Sequence, residues 1–159
     1  MNERAITFTL NGRPREVQVP AHRTLLDVLR DDLGALEVKE GCGEGVCGTC
    51  TVLLDDEPVS ACLVLIPRVA GRRITTVRGL GEGEALHPLQ EAFATHGAAQ
   101  CGFCIPGMLL TAYAFLRDHP TPSREEIRRA IAGNLCRCTG YVKIIDAIAR
   151  VAEGRAGRG

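Results

Sequence analysis

Gly41-Cys-Gly-Glu-Gly-Val-Cys-Gly-Thr-Cys50 is the stretch on which the reading of this chain turns. Cys42, Cys47 and Cys50 fall within nine residues, and Gly41, Gly43, Gly45 and Gly48 stand between and beside them. Glycine permits positive φ and close backbone approach. The segment therefore reads as a loop curled around something that its thiols hold. Upstream, Ile6, Phe8 and Leu10 alternate with Thr7 and Thr9, a strand pattern,. Asn11-Gly12 is a hairpin turn signal, with Val17 and Val19 on the return strand,. Thr24 caps a helix carrying Leu25, Leu26, Leu29 and Leu33, with Asp27 in its first turn and Gly34 as its stop,. Downstream, Thr51–Leu54 reads as a strand, Asp55-Asp56 as a turn and Val59–Ile66 as the partner strand. Ile74–Val77 is a last short strand.

Residues 79–87 hold Gly79, Gly81 and Gly83 and read as a linker closing a first domain of residues 1–78. Beyond it the period changes to that of helices. Pro88 opens a helix with Leu89, Ala92, Phe93 and His96, stopped by Gly97,. A second helix carries Met108, Leu109, Ala112, Phe115 and Leu116 and ends before Pro120,. Ser123 and Glu126 form a capping box for a third, containing Ile127, Ala130 and Ile131 and ended by Gly133,. A fourth carries Ile144, Ile145, Ile148 and Val151. The pattern predicts a helix bundle over residues 88–153 and a disordered tail over 154–159, so the fold class is α+β,.

The chain has 159 residues, 45% of them apolar, no Trp, and zero formal net charge. Neutrality argues against a nucleic-acid-wide basic footprint. Residues 1–19 lack the apolar core of a secretory signal, and no apolar run approaches a membrane span,. A cytoplasmic setting is expected. Eight cysteines there point to metal or redox chemistry rather than a disulfide framework,.

The cysteines divide four and four. The first set is Cys42-x4-Cys47-x2-Cys50 with Cys62, the spacing of a plant-type ferredoxin that holds a [2Fe–2S] cluster,. Cys62 closes this site from the neighbouring strand. The second set is Cys101-x2-Cys104 with Cys136-x-Cys138. On spacing alone structural zinc is an open alternative, chiefly for the second set. Its ligand pairs are unequal, and Cys136 and Cys138 are expected on a turn. Cys104 and Cys138 are each expected just before a helix, whose N–H groups favour an anionic cluster.

Other motifs fail. Gly43-x-Gly45-x-x-Gly48 matches a dinucleotide fingerprint in letters, yet it contains Cys47 and runs into a strand,. His22, His87, His96 and His119 are scattered and form no Cys-x-His pair. No nucleophile, acid or base constellation is legible. The charged run Arg124, Glu125, Glu126, Arg128 and Arg129 reads as a solvated helix face,.

Gly41–Val52, Gln100-Cys-Gly-Phe-Cys-Ile-Pro-Gly-Met108 and Gly133-Asn-Leu-Cys-Arg-Cys-Thr-Gly-Tyr141, in this order, resemble the iron–sulfur subunit of the molybdenum hydroxylases, the family of xanthine oxidase, aldehyde oxidoreductase and carbon monoxide dehydrogenase. The resemblance covers roughly residues 4 to 152. It implies a β-grasp, ferredoxin-like domain followed by a four-helix bundle, each with one [2Fe–2S] cluster, and so decides against zinc. It implies electron relay from a molybdenum–pterin cofactor in a large subunit to FAD in a medium subunit or another acceptor. The expected assembly is a heterotrimer or its dimer, and this chain alone turns over no substrate. The helical-domain cluster would be nearest the molybdenum, with Gln100 and Cys138 contacting the pterin. Ile105, where Thr or Ser is common, and Asp56, in place of a common turn Gly, depart from the family pattern without touching a ligand. The competing reading is a free-standing ferredoxin-like carrier or a structural metal module, which would have no use for a helical docking domain.

Overall fold

The computed structural model describes residues 3–81 and 85–156. Strands β1 (Glu3–Leu10) and β2 (Arg13–Pro20) pair antiparallel about Asn11-Gly12, whose φ values are 49° and 75°. Asn and Gly tolerate that region, so the turn forms there. Strands β3 (Thr51–Leu54) and β4 (Glu57–Ser60) pair likewise about Asp55-Asp56, at φ 49° and 73°. Strand β5 (Arg73–Thr75) runs parallel to β1 and antiparallel to β3, giving the sheet order β2-β1-β5-β3-β4.

Two expected strands are shorter than the pattern predicts. The return strand from Val59 stops at Ser60, and Ala61–Leu63 winds into a 3₁₀ turn. This turn carries Ala61 and Cys62 inward, with the Ala61 N–H directed at the Cys50 carbonyl at 3.3 Å. Cys62 thus comes from a turn, not a strand. The last strand ends at Thr75 because the Asn11 side chain captures the next residue. Asn11 Oδ1 accepts the Thr76 N–H at 2.8 Å, and Asn11 Nδ2 donates to the Thr76 hydroxyl at 2.9 Å.

Helix α1 (Leu25–Asp27) starts at a Thr24/Asp27 capping box and widens at once into a π turn over Val28–Asp32. The widening turns Leu25, Leu26, Val28 and Leu29 together onto the sheet, where they join Ile6, Phe8, Val17, Val19, Val52 and Ile74 in one core. The second half is helical: α2 (Pro88–Thr95), α3 (Ile105–Asp118), α4 (Arg124–Ala130) and α5 (Val142–Ala156). Most of the expected caps and stops are in place, although α4 ends at Ala130 with Ile131 as its cap, short of Gly133. Pro88 lies in the first turn of α2, Gly97 follows it at φ 64°, and Ser123 and Glu126 box the start of α4. His87, placed in the linker by its sequence, is the cap of α2: its Nδ1 accepts the Leu89 N–H. The linker also supplies Leu80 to the helical core, and residues 82–84 lie outside the described residues. The tail expected to be disordered from Gly154 is instead helical through Ala156, anchored by buried Val151 and Ala152.

The two cores meet at β3. Val52 and Leu54 point into the sheet core, while Leu53, 1% exposed, points into the helical core. A strand buried on both faces is the wall that the halves share. The architecture is α+β.

Candidate metal centres

The eight cysteines gather into two groups of four, each made of two close pairs. In the Gly41–Cys50 loop the Cys42 and Cys47 thiols interact, and the Cys50 thiol interacts with that of Cys62 from the 3₁₀ turn. Gly43, Gly45 and Gly48 all have positive φ, so the loop winds as its glycines allow. In the helical half Cys101 and Cys138 lie with Sγ–Sγ 3.4 Å apart, and Cys104 interacts with Cys136. Cys104 is the residue immediately before α3, as expected, and Cys136 and Cys138 lie on an irregular turn. Cys138 does not directly precede a helix: Thr139, Gly140 and Tyr141 separate it from α5.

Each group has an outer and an inner pair. Cys50, Cys62 and Cys104 are buried, Cys42, Cys47 and Cys136 are half-buried, and Cys101 and Cys138 are exposed. Burial dominates at two of the thiols and hydrogen bonds at others. Burial, then the Cys50 thiol, pushes Cys62 up to about 11, and burial, then Cys136, pushes Cys104 up to about 12,. The Glu44 N–H, then the Cys47 thiol, brings Cys42 down to about 6. The Phe103 N–H lowers Cys101 in the same way, and Cys101 in turn raises Cys138. Burial works to raise Cys136, but the Thr139 hydroxyl and the N–H groups of Thr139 and Cys138 prevail and lower it.

Paired thiols suit a dinuclear iron core, in which each iron takes two cysteines.

The two groups are held together by main chain. The Leu135 N–H donates to the Cys47 carbonyl at 2.9 Å, and buried Asn134 donates through Nδ2 to the Gly48 carbonyl at 2.9 Å. The same carbonyl accepts the Thr51 hydroxyl at 2.7 Å. Gly48 and Gly107 make the approach possible. A Cβ on Gly48 would collide with the Gly133 carbonyl, and one on Gly107, in the first turn of α3, with the Gly48 carbonyl. Asn134, Gly107 and Tyr141 carry no recognisable ligand chemistry, so sequence reasoning passed over them; their work is to seat one loop on the other. Tyr141 is a bulky residue at φ 67°, an uncommon conformation that aims its hydroxyl back to accept the Cys136 N–H at 2.8 Å,. Gln100 is exposed beside Cys101. The Arg124–Arg129 charges form surface ion pairs, Arg124 with Asp146 and Arg128 and Arg129 with Glu125.

A sheet half and a helical half, each presenting two pairs of thiols, define a two-cluster iron–sulfur protein. Residues 8–70 match the 2Fe-2S iron-sulfur cluster binding domain family, and residues 76–149 match the [2Fe-2S] binding domain family. The nicotinate dehydrogenase small FeS subunit of Eubacterium barkeri is 46% identical, over 96% of this chain and 98% of its own. The nicotine 6-hydroxylase small subunit of Paenarthrobacter nicotinovorans is 50% identical, over 90% of this chain and 86% of its own. Among solved structures, quinoline 2-oxidoreductase from Pseudomonas putida 86 superposes with a TM-score of 0.93 at 48% identity, over 100% of this chain and 99% of that one. The chain belongs to the molybdenum hydroxylase family as its small iron–sulfur subunit, with one [2Fe–2S] domain in each half and an electron-transfer role.

Proposed function

We propose that this chain relays single electrons between a molybdenum–pterin cofactor in a large subunit and FAD in a medium subunit, or another acceptor. In this reading residues 1–78 form the β-grasp, ferredoxin-like domain and residues 88–153 the four-helix bundle. Cys42, Cys47, Cys50 and Cys62 hold one [2Fe–2S] cluster, and Cys101, Cys104, Cys136 and Cys138 hold the other. The observation that carries it is the grouping of eight thiols into four pairs, two pairs to a site. When bound, such clusters supply reversible one-electron storage and no open coordination position. The residues of this chain hold them, exclude water from the inner thiols, and bring the two ligand segments into direct hydrogen-bond contact at Cys47 and Leu135.

The second site is proposed to face the pterin, with Gln100 and Cys138 as its contacts. Both are exposed, as is Cys101, and the same ligand segments expose Phe103, Leu135 and Val142. The heterotrimeric assembly, or a dimer of it, and the cytoplasmic setting belong to the same reading. Among the described residues no helix is long and apolar enough to cross a membrane. Relatives named for nicotinate, nicotine and quinoline make N-heteroaromatic rings the first substrates to try on the complex.

Iron, sulfide and zinc analysis tests the ligand assignment. Four irons and four sulfides per chain without stoichiometric zinc are expected; one zinc with two irons would overturn it for one site. The order of the relay is read from the paramagnetic molybdenum signal of the partly reduced complex. Its splitting should vanish when the Cys101 site is disrupted and persist when the Cys47 site is disrupted.

A further inference from the structure

Thr139 stands between the last cysteine and α5 and touches a cysteine that is not its neighbour. Its Oγ1 lies 3.1 Å from the Cys136 sulfur, and the Tyr141 N–H donates to the same Oγ1 at 3.2 Å. An iron-bound thiolate carries no proton and can only accept. With the cluster bound, the Thr139 O–H is therefore the donor to sulfur, while its oxygen accepts the Tyr141 N–H. The Cys136 N–H is engaged elsewhere, by the Tyr141 hydroxyl at 2.8 Å, and that hydroxyl is within 3.4 Å of the Asn134 carbonyl. Residues 134–141 therefore form a closed set of hydrogen bonds with Tyr141, at its positive φ, as the clamp. The N–H groups of Cys138 and Thr139 and, in the iron-free chain, the Cys104 thiol are also directed at the Cys136 sulfur. At the first site the donor recorded toward Cys42 is the Glu44 N–H, at 3.5 Å, with the N–H groups of Cys47 and Val46 also directed at it.

We propose that Thr139 is a positioning residue that raises the reduction potential of the second cluster by donating a side-chain hydrogen bond to its Cys136 ligand, a contribution set independently of the first cluster. Reduction adds one electron and one negative charge to the cluster and its thiolates. A donor to a ligating sulfur stabilises that more negative state and makes it easier to reach. Cys136 is half-buried beside buried Cys104, where a fixed donor counts for more than it would at the open surface,. The inference rests on the proposed ligand set, since it assigns Cys136 to the second cluster.

The test is a redox titration of the complete complex followed by electron paramagnetic resonance, with iron content measured on the same samples. Thr139→Val keeps the shape and removes the O–H. It should make reduction of the second cluster roughly tenfold less favourable, a downward shift of about 59 mV for a one-electron couple. Thr139→Ser should restore the wild-type potential, and the first cluster should stay at its own value in both variants. Unchanged potential in Thr139→Val with full iron overturns the proposal and leaves the ligand set intact. An equal shift in the Ser and Val variants, or a shift of both clusters, assigns the effect to packing and also overturns it. Thr139→Ala guards against a packing fault peculiar to valine. If Val and Ala both lose the second cluster and Ser keeps it, the hydroxyl serves assembly rather than potential, and the proposal fails. Four irons per chain in a Cys136→Ala variant would instead refute the ligand set beneath it.

Discussion

The first site takes three of its four thiols from nine consecutive residues, Cys42 to Cys50, whereas the second takes two from Cys101–Cys104 and two from Cys136–Cys138. Its outer partners Cys101 and Cys138 stand 37 positions apart in sequence. One loop with glycines at the right places is enough to converge the first three thiols. The second site needs α3 and α4 packed on each other before its two segments meet, because nothing local draws Cys104 toward Cys136. The first site is a property of a segment, and the second a property of a core. The two are nonetheless fastened together, since the loop of the first is the floor on which Leu135 and Asn134 of the second rest.

The largest effect expected from breaking this pairing is loss of a whole cluster. Cys47→Ala and Cys104→Ala should each lower iron to about half, since metal binding and local folding are linked. Cys104→Ala should also loosen the start of α3, which Cys104 precedes. Iron analysis with circular dichroism separates the two, and unchanged iron in either variant contradicts the ligand list.

Thiol chemistry sharpens the contrast between outer and inner pairs. In the iron-free chain at pH 7 to 8, Cys42, at about 6, is a thiolate, while Cys104, at about 12, remains a buried thiol. Alkylation followed by mass spectrometry should therefore modify Cys42 more than tenfold faster than Cys104. The Cys42 rate should fall as pH drops through about 6. The two thiols that burial raises have the opposite sign. Cys62 and Cys104 stabilise the iron-free fold while neutral, fully so below the ordinary thiol value of 9.0, and that contribution is lost as pH rises through about 11 and 12,.

The fastening between the sites is worth less than a cluster but enough to measure. Asn134→Ala removes one of the two donors to the Gly48 carbonyl, Thr51 being the other, and should cost about 0.5–1.5 kcal/mol in chemical unfolding,. The two halves should then begin to unfold separately, which differential scanning calorimetry would show as a split transition. Gly107→Ala, which sets a methyl group against the same carbonyl, should act in the same direction,. A single unshifted transition in both variants would mean that the shared strand β3 alone couples the halves.

The smallest effect is expected at the surface bridge from α3 to the β3–β4 turn. Arg117 donates to the Asp56 carbonyl at 2.7 Å and to Glu57 at 2.9 Å, in solvent. Arg117→Ala should cost ~0.2–1 kcal/mol, less at high salt. A loss as large as that of Asn134→Ala would shift the weight of the interface from the buried loop to this bridge.

Local chemistry made much of this chain legible from its residues alone. Turns at Asn11-Gly12 and Asp55-Asp56, the caps at Thr24, Ser123 and Gly97, and the glycine-wound cysteine loop all arise from interactions within a few positions, which sequence spacing records directly. The division of eight cysteines into two sets of four was legible for the same reason, and the family resemblance supplied the chemistry of the second set. Tertiary structure alone decided what depends on distant partners. Cys62 comes from a turn because Cys50 draws the chain inward, β5 ends where Asn11 captures Thr76, and Leu53 leaves its own sheet to serve the helical core. The bonds of Tyr141 and Thr139 lie within residues 134–141, yet periodicity reports neither a positive φ nor a side chain turned back on its own loop. Asn134 and Gly107 gained their roles only when 3.6-residue and two-residue periodicities, each silent about the other half, were brought against one another.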